Sequence, residues 1–195
     1  MTTKSKKLHK YCEFSTQERV WAGDRSIAEI VRDCPRGDWL LLLAARLRID
    51  QRSLALVRGR CAHMVKNRMT DGVFKQAVDT AIAYGEGLDT EESLHHVWKS
   101  CVLKDEACED TICANKAAMQ AAHHPHFDKA IKPDVGWWVV YAILLAEENI
   151  YTAKESNLHK EVADVVREYI GQKIIDKVKK GLNCNKVLIP ISEKR

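Results

Sequence analysis

The chain has 195 residues, of which 46% are hydrophobic and 30% are charged, a balance typical of a globular domain and not of a disordered polymer. With only 9 glycines and 4 prolines, it lacks the frequent turns that a β-sandwich or β-barrel needs. The net charge is +4, but residues 1–12 carry +4 and residues 173–195 carry +5, which leaves −5 for residues 13–172. A charged partner of this central part is therefore expected to be basic.

Helix start and stop signals divide the first fifty residues. Residues 1–13 are basic and polar and are predicted to form a disordered tail. Ser15 followed by Glu18 is a capping-box pattern that predicts the start of a first helix. Pro35 ends this helical region, because the residue before a proline disfavours the α conformation. A short helix follows over 38–47, and it is apolar almost all round, which predicts burial on most sides.

Two aspartates predict the starts of the next two helices. Asp50 and Asp71 each precede apolar residues spaced three and four apart, as an N-cap does. The Gly-Glu-Gly run at 85–87 then ends the second of these helices, since glycine adopts the left-handed C-cap conformation at low cost. The first of them also carries a basic set beside its apolar face: Arg52, Arg58, Arg60, Lys66 and Arg68.

The second half of the chain continues the helical pattern. Asp89 and Glu92 form a second capping box, which opens a helical region that runs to about residue 123. Acidic residues at 105–110 divide this region in two. Further helices are predicted over 135–149 and 156–182 from their apolar periodicity. The predicted fold class is all-α, a single-domain bundle of seven or eight helices without a substantial sheet.

The predicted domain organisation is a disordered tail at 1–13, a helical domain at 14–183 and an extended tail at 184–195. No signal peptide is recognisable, and no apolar run approaches the ~20 residues that span a bilayer, so we expect no membrane partner. An odd number of scattered cysteines is a poor disulfide framework and indicates reduced thiols in a cytoplasmic protein. They are Cys12, Cys34, Cys61, Cys101, Cys108, Cys113 and Cys184.

Motifs of common enzyme and cofactor sites are absent from the sequence. There is no glycine-rich phosphate loop, no H-E-x-x-H or C-x-x-C pair and no G-x-S-x-G elbow. We therefore predict no enzymatic activity and no cofactor. A metal site remains an alternative, because thiols and imidazoles bind zinc, although two cysteines five apart diverge by about 140° on a helix. Its candidate ligands are Cys108, Cys113, His123, His124 and His126.

A concentration of acidic residues is the main candidate for a binding surface. Eight carboxylates fall between residues 86 and 110 with few basic neighbours, and such a surface steers a basic partner. The alternative is an ordinary solvated helix face. The candidate partner-binding residues are Glu86, Asp89, Glu91, Glu92, Asp105, Glu106, Glu109 and Asp110.

The C-terminal region is basic, in contrast to this acidic stretch. Lys173, Lys177 and Lys180 lie at i, i+4 and i+7, which places them on one side of an amphipathic helix that can contact phosphates. No aromatic residue is interleaved to stack on bases, so solvation of a terminal helix is the preferred interpretation.

Several short segments follow one another in an order that is similar to the layout of a known family. They are Asp38-Trp39-Leu40-Leu41, Asp50-Gln51-Arg52-Ser53-Leu54, Arg60-Cys61-Ala62, Ala77-Val78-Asp79-Thr80-Ala81, Tyr84-Gly85-Glu86-Gly87 and Glu91-Glu92. With them, the chain resembles the helical immunity proteins of bacterial polymorphic toxin systems and related alanine-rich helical proteins, over about two-thirds of its length. Residues 107–122 resemble the alanine-rich part, here shorter, and 161–171 the closing helix.

The resemblance implies a helical protein that binds another protein, such as a toxin or defence effector, and blocks it. It supplies no catalytic residues, and the basic C-terminus departs from the family layout. The predicted function is accordingly a non-enzymatic protein-binding module of the immunity or inhibitor type with a basic partner. The alternatives are a nucleic-acid-binding protein that uses its basic termini and a helical metalloprotein that uses Cys108, Cys113 and residues 123–126. Homo-oligomerisation stays open.

Overall fold

The computed structural model describes residues 20–106, 113–123 and 153–183. Within these ranges the chain forms eight α-helices and no strand, which confirms the all-α prediction. The predicted tails, the Ser15 cap and the helix at 135–149 lie outside the described residues. The helices are α1 Ile27–Asp33, α2 Gly37–Arg46, α3 Gln51–His63, α4 Gly72–Glu86, α5 Glu91–Glu106, α6 Cys113–Ala122, α7 Ala153–Val166 and α8 Gln172–Asn183.

Several helix ends follow directly from the sequence signals. The side chains of Asp50 and Asp71 accept hydrogen bonds from the first-turn backbone N–H groups of α3 and α4, as N-cap residues do. Gly87 has φ 82°, the left-handed conformation that ends α4. Helix α1 starts with a capping box that was not predicted, in which the Ser26 hydroxyl and the Glu29 carboxylate each accept from the other residue's backbone.

The start of α5 corrects one prediction. Thr90, not Asp89, caps this helix, because the Thr90 hydroxyl accepts a hydrogen bond from the Ser93 backbone N–H at 3.1 Å. The Asp89 carboxylate accepts instead from the Thr90 backbone N–H at 2.7 Å. The predicted capping box was therefore wrong by one residue, since threonine and aspartate are both good caps and the sequence offers them side by side.

Helix α3 is the central helix and is buried along nearly its whole length. It runs antiparallel to α4. The two helices approach closely because a glycine on each helix faces a side chain of the other. A Cβ atom at Gly59 would lie 2.8 Å from Ile82, and one at Gly85 would lie 2.4 Å from Leu56. Helices α5 and α6 pack on α4, and α6 also packs on α3. The resulting core is contiguous with the rest of the apolar interior.

A second group of helices packs on the other side of α3. Helix α7 packs mainly on α2, and the chain continues through a π-helical segment, Arg167–Gly171, into α8. The prediction of one helix over 156–182 is thus observed as two α-helices joined by this wider turn. In the π-helical segment, Ile170 and Gly171 are buried, and Gly171 lies against Val31 of α1.

No helix in the described ranges is both long enough and apolar enough to cross a bilayer.

Candidate functional site

Four of the eight predicted partner-binding residues lie together around the link between α4 and α5. We call residues 86–92 the acidic turn. Glu86 ends α4, Asp89 lies in the link, and Glu91 and Glu92 occupy the first turn of α5. All of these side chains except that of Asp89, which is half-buried, are exposed to solvent. The acidic turn therefore concentrates negative charge at the surface.

The other four predicted residues do not join this surface within the described ranges. Asp105 lies at the far end of α5, about 20 Å from the acidic turn at 1.5 Å of rise per residue. Glu106 is the last residue of α5, and its side chain is not among those described. Glu109 and Asp110 lie outside the described residues. Among the residues that the structure describes, the acidic turn is the part of the candidate surface that lies together, and the assignments of Glu106, Glu109 and Asp110 stay predictions.

The backbone of the acidic turn is held by its own hydrogen bonds. The Gly87 N–H donates to the carbonyl oxygen of Tyr84 at 3.1 Å, and the Leu88 N–H donates to that of Ala83 at 2.8 Å. These bonds satisfy the last carbonyl groups of α4. The Leu88 side chain points away from the helix and is 79% exposed. The turn thus offers one large apolar side chain among carboxylates.

Arg52 of α3 contacts the backbone at and just before the acidic turn. Its Nη1 donates to the carbonyl oxygen of Tyr84 at 2.6 Å and contacts that of Asp89 at 3.4 Å. The guanidinium also lies 4.4 Å from the centre of the Tyr84 ring, a cation–π contact. Burial raises the pKa of the Tyr84 hydroxyl, and the nearby Glu91 carboxylate raises it further.

Arg60 of α3 holds the beginning of the turn. It pairs with Glu86 at 2.5 Å, and its guanidinium lies 5.4 Å from the ring of Tyr169 in the π-helical segment. The two arginines of α3 therefore fix the acidic turn to the centre of the fold without covering Leu88 or Glu92.

A second polar cluster, at the contact between α2 and α7, was not predicted. We call Arg36, Asp38 and His159 the buried polar triad. The Arg36 guanidinium donates two hydrogen bonds to the Asp38 carboxylate, at 2.9 and 2.6 Å. His159 Nδ1 lies 3.4 Å from the same carboxylate, and the side chains of Asp38 and His159 are only 3% and 4% exposed. The sequence contained one indication that His159 is buried. It lies three residues before Val162, a spacing that places both residues on the apolar face of α7.

Gly37 makes the helix approach at the triad possible. A Cβ atom at this position would lie 2.3 Å from Val162 Cγ1 and 2.7 Å from the backbone nitrogen of Ala163. Only glycine permits α2 to come this close to α7. This close approach buries Asp38 and His159 in the core, whereas the Arg36 side chain stays 35% exposed.

One member of the basic set predicted beside the apolar face of α3 does not lie at the surface. Arg58 is 4% exposed and lies in the core, where its Nη2 donates to the carbonyl oxygen of His123 at 2.8 Å. His123 is also buried, and its ring lies 5.7 Å from that of Trp98 in an edge-on arrangement. The sequence spacing did indicate this burial. Arg58 follows Leu54 by four residues and precedes Cys61 by three, which places it on the apolar face of α3.

The described thiols are inert. Cys34, Cys61 and Cys101 are free and buried, and burial raises the pKa of Cys34 to about 11 and those of Cys61 and Cys101 to about 12. Such thiols stay protonated near neutral pH and do not act as nucleophiles. Their interpretation as reduced core residues is confirmed for these three positions.

The proposed metal ligands are not tested by the structure. His123 has a described side chain, whereas Cys108, His124 and His126 lie outside the described residues, and the side chain of Cys113 is not among those described. The residues that the structure describes form no group of three or more His, Cys, Asp or Glu side chains fit to hold a metal.

A small apolar cavity lies between α1 and α2. Its volume is about 10 Å³, roughly the room that one water takes, so it is too small for an organic ligand. It is lined by Trp21, Ala22, Ile30, Cys34, Trp39, Leu40 and Leu43.

Comparison with protein-family models, with curated proteins and with solved structures gives no match to this chain. The functional interpretation rests on the chain's own residues.

Proposed function

We propose that this chain is a non-enzymatic protein-binding module of the immunity or inhibitor type, which binds a basic partner protein and blocks it. The observation that carries the proposal is the acidic turn, with three exposed carboxylates around an exposed leucine on an ordered backbone. Such a turn supplies both parts of a protein interface, a charge that selects the partner and an apolar group that leaves water on binding.

The rigidity of the acidic turn supports a binding role. Ordering a loop at an interface costs free energy, and a loop that is ordered beforehand avoids that cost. Here Arg52 and Arg60 fix the turn to α3, and the Gly87 and Leu88 N–H groups are already bonded to α4. The partner therefore does not have to order this backbone.

The charge distribution supports a basic partner. Glu91 and Glu92 also stabilise the N-terminal end of α5 through the helix dipole, which alone would explain two acids there. The dipole does not explain Leu88, which extends from the same turn and is mostly exposed. Leu88 gives the turn an apolar centre, around which acidic side chains form a rim.

The test uses the protein encoded beside this chain as the probe. Purified chain is titrated with that protein by calorimetry, for the natural sequence and for the double variant Glu91→Lys with Glu92→Lys. We expect binding that weakens with added salt, and a dissociation constant at least about tenfold higher for the variant.

The matched control is Glu161→Lys with Glu168→Lys, which makes the same change of charge at exposed positions on α7 and the π-helical segment. It should leave the dissociation constant within about threefold, because it keeps every carboxylate of the acidic turn. The proposal is wrong if the neighbouring protein does not bind, or if both double variants weaken binding equally.

A further inference from the structure

Helix α8 presents three exposed lysines on one side, and we call Lys173, Lys177 and Lys180 the lysine face. At 100° of rotation per residue, the three side chains leave the helix within about 60° of one another. Ile174 and Val178 of the same helix are buried in the core. The fold therefore uses the apolar side of α8 for packing and leaves the lysine face in solvent.

The charge of the lysine face is only partly neutralised within the fold. Lys173 lies 3.2 Å from the carboxylate of Asp50. Among the residues that the structure describes, no carboxylate forms an ion pair with either of the other two lysines. Asp176 is the one acidic residue of α8, and its carboxylate accepts a hydrogen bond from Gln172 at 2.8 Å instead.

Other described lysines of the chain are paired or stand alone. Lys66 pairs with Asp79 at 2.5 Å, and Lys104 pairs with Asp71 at 3.0 Å. Lys75 is exposed, but it is the only lysine or arginine of α4. The lysine face differs from these because it brings exposed cations together on one side of one helix.

The helix dipole accounts for one of the three lysines. Lys180 lies in the last turn of α8, where a positive charge stabilises the helix. The effect fades within one turn, so it does not account for Lys177 or Lys173, which lie about one and two turns earlier.

We propose that the lysine face binds the phosphate backbone of a nucleic-acid duplex without reading its sequence. The lysine ammonium group is a compact positive charge that suits phosphate. Contacts of this kind release counterions from the nucleic acid, and this release supplies nearly all the affinity of sequence-independent binding.

The composition and burial of α8 favour a duplex over the other large polyanions. Proteins that bind single strands stack the bases on aromatic side chains, and α8 carries no aromatic residue. An amphipathic helix binds a bilayer through its apolar side, and in α8 this side is buried in the fold.

The charge distribution along the chain favours contact at this end of the molecule. Residues 13–172 carry −5 and repel a polyanion, whereas residues 173–195 carry +5 and attract it. The lysine face is separate from the acidic turn, and this proposal does not depend on the proposed function.

The test is a titration of a fluorescent DNA duplex of about 20 base pairs with the full chain, followed by fluorescence anisotropy at several salt concentrations. Each phosphate contact contributes about −0.9 to the slope of log K against log salt, so the three lysines together contribute about −2.7. We therefore expect the affinity to fall at least about 40-fold between about 50 and 200 mM salt.

Two double variants locate the contact. Lys177→Ala with Lys180→Ala keeps good helix formers in α8 and should make the slope shallower by about 1.8 and weaken binding at least tenfold at about 50 mM salt. Lys75→Ala with Lys99→Ala also removes two exposed lysines but keeps the lysine face, so the dissociation constant should stay within about threefold.

The proposal is overturned if the duplex does not bind at about 50 mM salt. It is also overturned if the two double variants weaken binding equally, because the net charge of the chain would then explain the affinity. Binding to phosphatidylcholine vesicles with about one-third phosphatidylserine, but not to the duplex, would assign the lysine face to a membrane surface and contradict the proposal.

Discussion

The acidic turn and the buried polar triad each include a carboxylate that pairs with an arginine, but the two pairs differ in burial. Arg60 of α3 pairs with Glu86 of the turn, and Arg36 pairs with Asp38 within the triad. In the acidic turn, the side chains of Arg60 and Glu86 are 37% and 35% exposed. In the triad, Asp38 is 3% exposed and holds Arg36 with two hydrogen bonds. Exposure to solvent is therefore the main physical difference between the two clusters.

This difference in burial leads to different expectations for the two ion pairs. An exposed ion pair contributes up to about 1 kcal/mol, since water and salt screen it, and its carboxylates stay available to a partner. A buried pair is costly to break, because the remaining charge has lost its water and has no substitute. We therefore expect substitutions at the triad to change folding and substitutions at the acidic turn to change binding.

The largest effect is expected from Gly37→Ala. The new methyl group would overlap Val162 and the backbone of Ala163, so α2 and α7 must separate. We expect the free energy of unfolding to fall by more than about 3 kcal/mol, at the upper end for overpacking. Urea unfolding measures this change.

The control for this variant is Gly72→Ala, where a new methyl group meets nothing within 4 Å. Because alanine favours a helix, this variant should be neutral or up to about 1 kcal/mol more stable. If the two variants have the same stability, the close approach of α2 and α7 is not a requirement of the fold.

A smaller effect is expected from Asp38→Asn. The amide keeps the shape of the carboxylate but leaves the Arg36 guanidinium without its charged partner. Because Arg36 is 35% exposed, water recovers part of the loss, and we expect about 2 kcal/mol of destabilisation.

Asp79→Asn is the matched control, since Asp79 pairs with Lys66 at 2.5 Å but is 59% exposed. Its effect in the same urea experiment should stay below about 1 kcal/mol. Equal losses for the two asparagine variants would show that burial does not distinguish these ion pairs.

The sequence predicted helices better than it predicted their contacts. Asp50, Asp71 and Gly87 act locally, each satisfying backbone groups of its own helix, so their roles were readable from spacing alone. The triad depends on α2 meeting α7, which are more than a hundred residues apart. Nothing in the local pattern around Asp38 announces His159 as its neighbour.

Nearness along the chain was likewise a poor guide to which acidic residues lie together. Counting carboxylates along the chain grouped Asp105 with Glu91, although the length of α5 separates them. Conversely, Arg58 was assigned to a basic face by residue type, while its spacing places it on the apolar side of α3. Position on the helix outweighs residue type in both cases.

Alkaline pH gives a third, smaller test on the triad side of the comparison. Cys34 lies beside the triad, and its thiol donates to the carbonyl oxygen of Arg36 at 3.4 Å. Burial raises its pKa from 9.0 to about 11, so between these values the unfolded chain loses the proton and the folded one keeps it. Stability is therefore full below pH 9 and falls as the pH rises through 11.

The expected loss from Cys34 at pH 10 is about 1 kcal/mol relative to pH 8, by linkage. The variant Cys34→Ala should lose less stability than the natural protein over this range, because it lacks the Cys34 thiol. It should still lose some stability, because Cys61 and Cys101 continue to contribute. Identical pH profiles of urea unfolding for the two proteins would show that the Cys34 thiol is not desolvated.

The smallest effect on stability is expected at the acidic turn itself, from Glu91→Gln with Glu92→Gln. The two carboxylates lie in the first turn of α5, where each stabilises the helix by about 0.3–1 kcal/mol at low salt through its interaction with the helix dipole. Screening by salt reduces this stabilisation. We expect a total loss near 1 kcal/mol in 20 mM salt and close to none in 0.5 M salt, measured by urea unfolding. Glu161→Gln with Glu168→Gln should lose less at low salt, because these residues lie within a continuous helical segment. A loss above about 3 kcal/mol that salt does not reduce would make the acids structural, and the acidic turn would then resemble the triad.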